Sequence, residues 1–141
     1  MSDVVEIAPL RESELAQLFG LANAVFASTS GWSDRRVLDV LMHDVVFVAH
    51  EQGEVGGYVA LFVSPGEQVI AEQVFVAPGH EHRGIGHRLL AHAEGYAIAK
   101  RARTLCIVVE PDNWRARAFY SRLGFIPVQT DLVELVLPSL V

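Results

Sequence analysis

Apolar residues recur along this chain with two periods, one typical of helices and one typical of strands. Spacings of three and four residues predict four helices. The first covers Arg11 to Phe26, and the second is capped by Ser33 or Asp34 and ends at Met42. The third covers Ile85 to Ala102, and the fourth covers Asn113 to Leu123. Short apolar or alternating runs predict seven strands, which are Val4 to Ile7, Val45 to His50, Gly56 to Val63, Val69 to Val76, Thr104 to Val109, Phe125 to Val128 and Leu132 to Leu137. The order β-α-α-β-β-β-α-β-α-β-β indicates an α/β fold with a mixed sheet.

Turn and cap residues separate these elements. The segment Glu51-Gln52-Gly53-Glu54 predicts a hairpin turn, and Gly124 predicts a left-handed end to the last helix. The residues from Ser28 to Gly31 are expected to break the first helix. The run from Thr104 to Val109 is the most apolar of the strands, so we expect it to be buried on both faces.

Length and composition fit an intracellular globular protein. A chain of 141 residues, 51% apolar and 20% charged, is expected to form one domain over residues 1–141. It has no run of 18 apolar residues, so no membrane partner is expected. Cys106 is the single cysteine and cannot form an internal disulfide, and the first residues lack a secretory signal pattern. These features predict a cytoplasmic location.

Charge narrows the range of partners. The formal net charge of −6 disfavours nucleic acid, and it favours a cationic substrate such as an amine, although ordinary solubility would explain it equally well. The sequence is compatible with either a monomer or a homodimer. The histidines at 80, 82 and 87 lack the spacing to Cys or carboxylate partners that a zinc site needs, so no metal is expected.

The segment from Val74 to Leu90 carries the strongest chemical signal. It is predicted as a strand, a short loop with Gly84 and Gly86, and then a helix. This order directs backbone N–H groups and a helix N-terminus at one place, where a phosphate or pyrophosphate can bind. His87 and Arg88 follow Gly86, so the Lys and hydroxyl of a P-loop are missing. The third glycine of a dinucleotide fingerprint is missing as well.

Two motifs resemble those of the GCN5-related N-acetyltransferase (GNAT) superfamily. Val76 and Pro78, followed by Arg83-Gly84-Ile85-Gly86 and Leu89-Leu90, are similar to its acetyl-CoA-binding motif. The pattern N-x-x-A-x-x-F-Y-x-x-x-G-F, from Asn113 to Phe125, is similar to its second hallmark, the helix beside the acyl-CoA thioester. The resemblance is close from Ile70 to Pro127, and it is limited to element order in the N-terminal third.

The resemblance implies an acyl-CoA N-acyltransferase fold, with a mixed, mostly antiparallel sheet and flanking helices. In that fold the two central strands, here Val69 to Val76 and Thr104 to Val109, splay apart and admit acetyl-CoA. Their unpaired backbone groups would bind the pantetheine amides, while the glycine loop would hold the pyrophosphate with added charge from Arg83 and Arg88. The cofactor-binding residues expected on this basis are Val74, Phe75, Val76, His82, Arg83, Gly84, Ile85, Gly86, His87, Arg88, Asn113, Ala116 and Phe119.

Acetyl transfer to an amine needs a base, an oxyanion donor and a proton for the leaving thiolate. By resemblance, Tyr120 is the acid near the sulfur, and a backbone N–H near Val74 to Val76 is the oxyanion donor. Glu72 is the candidate base, because strand alternation would place it on the same face as Val74 and Val76. The alternatives are a rim residue of the core for Tyr120 and a solvated strand residue for Glu72.

Three functions fit these residues. The first is an acetyl-CoA-dependent N-acetyltransferase acting on a small-molecule or peptide amine. The second is a non-catalytic acyl-CoA-binding or sensing module on the same fold, and the third is a nucleotide-binding protein that uses the Gly84–Gly86 loop. Tyr120 and the complete second motif favour the enzyme. The absence of a Walker lysine disfavours nucleotide binding.

Overall fold

The computed structural model describes residues 5–29 and 32–138. In chain order the elements are β1 Val5–Pro9, a short 3-10 turn Glu12–Glu14, α1 Leu15–Thr29, α2 Asp34–His43, β2 Val45–Glu51, β3 Glu54–Ser64, β4 Gln68–Val76, α3 Ile85–Ala99, β5 Thr104–Val108, α4 Trp114–Arg122, β6 Ile126–Gln129 and β7 Leu132–Val136. The predicted element order is therefore confirmed. Val4, Ser30 and Gly31, to which the predictions assigned a strand end and a helix break, lie outside the described residues. The predicted end of the first helix at Phe26, before a break at Ser28, was wrong, because α1 continues through Thr29.

Local chemistry explains most of the element boundaries. The Ser33 hydroxyl accepts a hydrogen bond from the Arg36 amide at 3.2 Å, which caps α2 as expected. Gln52 and Gly53 have φ of 54° and 80°, which suits the tight turn between β2 and β3. The predicted end of α3 at Ala102 was wrong. The helix ends at Ala99, and Arg101 takes the left-handed conformation, with φ of 62°, that glycine usually provides.

The strands form one seven-stranded sheet in the order β1-β2-β3-β4-β5-β7-β6. Only the β4–β5 pair is parallel; every other neighbouring pair is antiparallel. The sheet is therefore mixed and mostly antiparallel, as the resemblance implied. Residues from Leu105 to Ile107 are fully buried, which agrees with the expected burial of this strand on both faces.

Helices cover both faces of the sheet. Ile85, Leu89 and Ala93 of α3 pack with buried residues of β3, β4 and β5 on one face. Leu18 of α1 and Val37 of α2 pack with β2, β3 and β4 on the other face. Burying these apolar side chains supplies the main stabilisation of the two layers.

Strands β4 and β5 separate partway along their length. They pair from Gln68 with Thr104 to Ala71 with Ile107, and no pairing is formed beyond that point. Residues 72–76 of β4 therefore have one free edge, facing the segment that leads from β5 into α4. The splayed central strands expected from the resemblance are present, and the backbone groups on their inner edges can bind a ligand.

A β-bulge at Glu72 changes which side chains share a face. Ala60 of β3 pairs with Gln73 and Leu61 pairs with Ala71, so Glu72 has no partner on β3. Ala71 and Val74 both pack beneath α3, whereas the Gln73 side chain accepts a hydrogen bond from Tyr58 on the opposite face. The expectation that Glu72, Val74 and Val76 share a face was wrong, because strand alternation does not continue through a bulge.

Candidate functional site

The loop between β4 and α3 has a backbone shape suited to an anion. Gly79, His82 and Gly84 all have positive φ, at 88°, 63° and 79°. Gly84 is the N-cap of α3, and no side chain caps the helix there. The first helical hydrogen bond runs from the Arg88 amide to the Gly84 carbonyl at 3.0 Å. The preceding amides of residues 85–87 therefore point away from the helix at its positive end, where a phosphate binds favourably.

A groove of about 290 Å³ lies against this helix terminus. It is lined by Val76, His80, Glu81, His82, Gly84, Ile85, Gly86, His87 and Phe119. A Cβ atom built on Gly86 would lie 3.7 Å from Val76 Cγ2 and 3.8 Å from the Phe119 ring. A side chain at this position would therefore enter the groove, and glycine keeps the groove floor clear. The groove contains seven of the residues that were predicted to bind the cofactor.

A second cavity of about 420 Å³ adjoins the free edge of β4. It is lined by Val25, Phe26, Val74, Phe75, Val76, Glu110, Asp112 and Asn113. Val76 lines both cavities, so the path from the helix terminus continues into the gap between the splayed strands. Glu110 and Asp112 place two carboxylates beside the apolar walls, which would favour a cationic group there.

Three predicted cofactor residues lie outside the linings of these two cavities. The Arg83 guanidinium forms an ion pair with Glu51 at 3.4 Å, and the Arg88 guanidinium donates to the Val5 carbonyl at 3.3 Å. Each guanidinium thus has a protein partner in this structure, and the expected charge of both arginines at the glycine loop stays a prediction. The Ala116 amide donates to Asn113 Oδ1 at 3.2 Å, so Asn113 caps α4 and also lines the larger cavity.

A buried network that the sequence did not reveal supports the glycine loop. Glu51, at the end of β2, is only 3% exposed. It accepts a hydrogen bond from His80 Nδ1 at 2.8 Å in addition to the Arg83 contact. The hydrogen bond from His80 and the charge of Arg83 hold the pKa of Glu51 below its ordinary value. The contact joins positions about thirty residues apart, so no local pattern could have indicated it.

A second network lies beside the larger cavity. Trp32 Nε1 donates to Glu110 Oε1 at 3.1 Å. Phe26 stacks on the Trp32 ring with a centroid distance of 5.3 Å, and the Arg36 guanidinium lies 3.4 Å above the same ring. Trp32 is buried, which agrees with a packing role. Its hydrogen bond also fixes one oxygen of a cavity-lining carboxylate.

Tyr120 lies behind the groove. Its ring packs between Phe119 and Phe125, with centroid distances of 5.7 and 6.1 Å, and it is 7% exposed. It lines neither cavity described above, whereas its neighbour Phe119 lines the smaller one. Burial raises the pKa of the Tyr120 hydroxyl to about 12. The hydroxyl therefore keeps its proton throughout the physiological pH range.

Glu72 is half-buried on the α1–α2 side of the sheet, where its carboxyl meets that of Asp44. Burial, followed by the adjacent Glu72, raises the pKa of Asp44 to about 8. Glu81 accepts a hydrogen bond from the Gly79 amide at 3.0 Å. This hydrogen bond stabilises the loop, and Glu81 is also one of the residues that line the groove.

The part of the chain described here contains no group of three or more His, Cys, Asp or Glu side chains arranged to bind a metal ion. Within residues 5–29 and 32–138, no helix is both long enough and apolar enough to cross a membrane.

Comparison with known proteins identifies the class to which this site belongs. Residues 42–127 match the acetyltransferase (GNAT) domain family. The chain therefore belongs to the GNAT acetyltransferase family, and the resemblance seen in the two motifs is confirmed. The matched region contains the glycine loop, strands β4 and β5, and helix α4.

Solved structures agree over nearly the whole chain. The PaiA N-acetyltransferase of Thermoplasma acidophilum, solved in complex with coenzyme A, aligns with a TM-score of 0.78 at 20% identity and covers 96% of this chain and 99% of its own. A GNAT-family acetyltransferase of Staphylococcus aureus Mu50 aligns with a TM-score of 0.81 at 15% identity, covering 96% and 100%. These similarities establish the fold.

Sequence relatives cover a shorter region. The uncharacterized N-acetyltransferase YhfO of Bacillus subtilis is 34% identical over 86 residues, which are 57% of this chain and 58% of the relative. Streptothricin acetyltransferase of Streptomyces lavendulae is 36% identical over 74 residues, or 52% and 39%. The alignments thus span about half the length of these relatives.

Proposed function

We propose that this protein transfers an acetyl group from acetyl-CoA to a primary amine by direct attack of the amine on the thioester. The observation that carries the proposal is the N-terminus of α3, which no side chain caps and whose groove shares Val76 with the cavity beside the free edge of β4. A helix terminus suits a pyrophosphate, and a free strand edge suits a chain with amide groups. Coenzyme A combines the two.

The residues present fit this cofactor. The backbone amides of residues 85–87 would hold the pyrophosphate, and Gly86 leaves space that a Cβ would fill. The free edge of β4 near Val74 and Val76 would pair with the pantetheine amides. Bound acetyl-CoA supplies an activated acetyl thioester. The protein supplies position, a base and hydrogen-bond donors for the developing charges.

Glu72 is the proposed base. In water an alkylamine is mostly protonated, since its pKa is about 10.4, so a proton must leave before the nitrogen can attack. The bulge directs the Glu72 side chain to the α1–α2 side of the sheet, opposite the core beneath α3. An acceptor entering from that side would meet the carboxylate first and the thioester in the gap next.

Tyr120 acts here as a hydrogen-bond donor rather than as a complete proton donor. Its pKa of about 12 exceeds the ordinary thiol value of about 8.5, so full transfer to a thiolate is unfavourable by about 5 kcal/mol. A hydrogen bond to the sulfur still stabilises the charge that develops there. The assignment rests on the motif from Asn113 to Phe125 and on the position of Tyr120 beside the groove residue Phe119.

The acceptor that we propose is a cationic small-molecule or peptide amine. Glu110 and Asp112 line the larger cavity. Glu72 lines neither cavity, but it lies on β4 two residues before the lining residue Val74. The relatives suggest two acceptor types for a first screen. One is streptothricin, after the streptothricin acetyltransferase of Streptomyces lavendulae. The other is an alanine peptide, after the ribosomal-protein-S18-alanine N-acetyltransferase of Escherichia coli. A cytoplasmic location and a single domain over residues 1–141 complete the proposal.

Cofactor binding is tested by thermal unfolding with and without millimolar acetyl-CoA. We expect a clear rise in Tm for the wild type by mass action, and none for Gly86→Glu, whose side chain and charge would enter the groove. Gly95→Glu is the matched control, because Gly95 is exposed on the same helix and has open space around its Cβ position. A rise with ATP equal to that with coenzyme A would instead favour a nucleotide-binding protein.

Catalysis is tested separately by measuring released coenzyme A with a panel of polyamines, amino acids, aminoglycosides, streptothricin and peptides. Turnover with at least one amine is expected. A full acetyl-CoA shift with no turnover across the panel would favour the alternative, a non-catalytic acyl-CoA-binding or sensing module.

A further inference from the structure

Two carboxyl groups, one from the junction of α2 with β2 and one from β4, meet on the α1–α2 side of the sheet. Asp44 follows α2, and its backbone N–H donates to the Val40 carbonyl at 2.9 Å, which fixes the backbone of this residue. Glu72 is the bulged residue of β4, with Ala60 and Leu61 of β3 on either side of the bulge. Val45 pairs with Leu61 of β3, and Leu61 pairs with Ala71 of β4. Asp44 and Glu72, the residues next to Val45 and Ala71 in the chain, therefore lie close together across β3, and their carboxyl groups interact.

The surroundings of Asp44 favour the protonated form of its carboxyl group. Its Oδ2 atom is buried and receives no hydrogen bond from any described residue. Two adjacent carboxylates repel each other, so one of them holds a proton at neutral pH. Burial of Asp44, then the hydrogen bond and charge of Glu72, raise the pKa of Asp44 to about 8. Asp44 is therefore the member of the pair that holds the proton.

Other titratable groups on the neighbouring elements have their own contacts. The His43 ring on α2 is 2.8 Å from the Asp39 carbonyl. The Glu134 carboxylate on β7 is 3.7 Å from the Cys106 sulfur of β5. Burial and Glu72 alone account for the state of Asp44.

We propose that Asp44 and Glu72 form a proton-sharing pair, in which the Asp44 hydroxyl donates a hydrogen bond to the Glu72 carboxylate and positions it toward the acceptor amine. This inference rests on the proposed transferase activity. Glu72 takes one proton from the ammonium group: an N–H bond breaks, an O–H bond forms, and the electron pair stays on nitrogen for the attack. The pair then holds two protons and no charge, and the extra proton leaves to solvent.

The shared proton is tested by a measurement that needs no turnover. A protonated native Asp44 stabilises the fold most below its unfolded pKa of about 3.8, and this contribution is lost as pH rises to about 8. The side chain introduced by Asp44→Asn does not titrate. The Tm of this variant, measured relative to that of the wild type, should therefore rise steadily from pH 4 to pH 8. Asp39→Asn, which removes an exposed carboxylate from α2, is the control and should show no such trend.

Infrared spectroscopy gives a second readout of the same pair. The wild type should show the carbonyl band of a protonated carboxyl group at pH 7, and Asp44→Asn should lack it. Parallel Tm curves for the wild type and Asp44→Asn, together with no such band, would overturn the proposal.

The positioning role is tested by kinetics with an acceptor found in the amine screen. Asp44→Ala removes the donor and should lower kcat about ten-fold or more, while the acetyl-CoA shift in Tm is kept. Asp44→Asn retains a donor and should recover most of that loss. Equal losses in the two variants would reduce Asp44 to a structural residue. If the Tm and infrared results hold and no amine is turned over, the pair stands and the transferase assignment fails.

Discussion

Replacing Gly86 by alanine should move stability and cofactor affinity in opposite directions. The new methyl group would lie 3.7 Å from Val76 Cγ2 and 3.8 Å from the Phe119 ring. These are ordinary contact distances, so the free protein can accept the methyl without repacking. Alanine is also the better helix former, by up to about 1 kcal/mol. The Tm of the free protein should therefore rise slightly.

The affinity of the Gly86→Ala variant for acetyl-CoA should fall, because the same methyl group occupies the groove floor. A ten-fold loss in Kd corresponds to about 1.4 kcal/mol. At a ligand concentration of about 100 Kd the wild type gains about 2.7 kcal/mol, so about half of the ligand-induced stabilisation would disappear. For a chain of this size 1 kcal/mol corresponds to about 4 °C, and the acetyl-CoA shift should shrink by about 5 °C.

Gly95→Ala is the matched control for this experiment. Gly95 is exposed on α3, and a Cβ there has no heavy atom within 4 Å. This variant should gain helix stability and keep the complete acetyl-CoA shift. Differential scanning fluorimetry across a ligand titration measures both effects. A Gly86→Ala variant that keeps the wild-type shift would show that the cofactor does not lie against Gly86, and the groove assignment would be refuted.

Three further predictions concern single side chains. Tyr120→Phe should lower kcat about ten- to hundred-fold, the value of one hydrogen bond to a charged group, with acetyl-CoA affinity unchanged by calorimetry; turnover within two-fold of wild type would remove Tyr120 from the mechanism. Glu72→Gln should lower kcat and flatten the rising limb of the pH–rate profile, whereas a rise in KM alone would mean that Glu72 only attracts the cation. Glu51→Gln should lower Tm at neutral pH and weaken acetyl-CoA binding, because His80 and Arg83 lose their charged partner. Since the native pKa of Glu51 is lowered, the wild-type advantage should fade as the pH falls through the acid range, and an advantage that is independent of pH would contradict this account.

Local signals in the sequence were sufficient for the element order and for the cofactor loop. Hydrophobic periods, the Ser33 cap and the Gly124 terminus are all determined within a few residues, and each is found in the structure. The glycine loop was predictable for the same reason. Its strand, positive-φ residues and helix terminus are neighbours in the chain.

Errors occurred where distant residues decide the outcome. The face of Glu72 depends on its register against β3, and one bulge reverses strand alternation. The contacts of Arg83 with Glu51 and of Arg88 with the Val5 carbonyl also join residues far apart in sequence, and they could not be predicted. The end of α3 depends on Arg101 adopting a left-handed conformation that its residue type does not suggest. Neither periodicity nor motif spacing contains this information.

The limited pairing between β4 and β5 also bears on how the molecule unfolds. Four residue pairs between β4 and β5 connect two parts of the sheet, a four-stranded part, β1 to β4, and a three-stranded part made of β5, β7 and β6. The three-stranded part ends in a short strand, β6, whose residues are all exposed. A ligand hydrogen-bonded along the free edge of β4 would hold the two parts together more firmly, so local unfolding of one part would be coupled to local unfolding of the other. Amide hydrogen exchange should then be slowed by acetyl-CoA in β6 and β7 as well as beside the groove, as one cooperative unit.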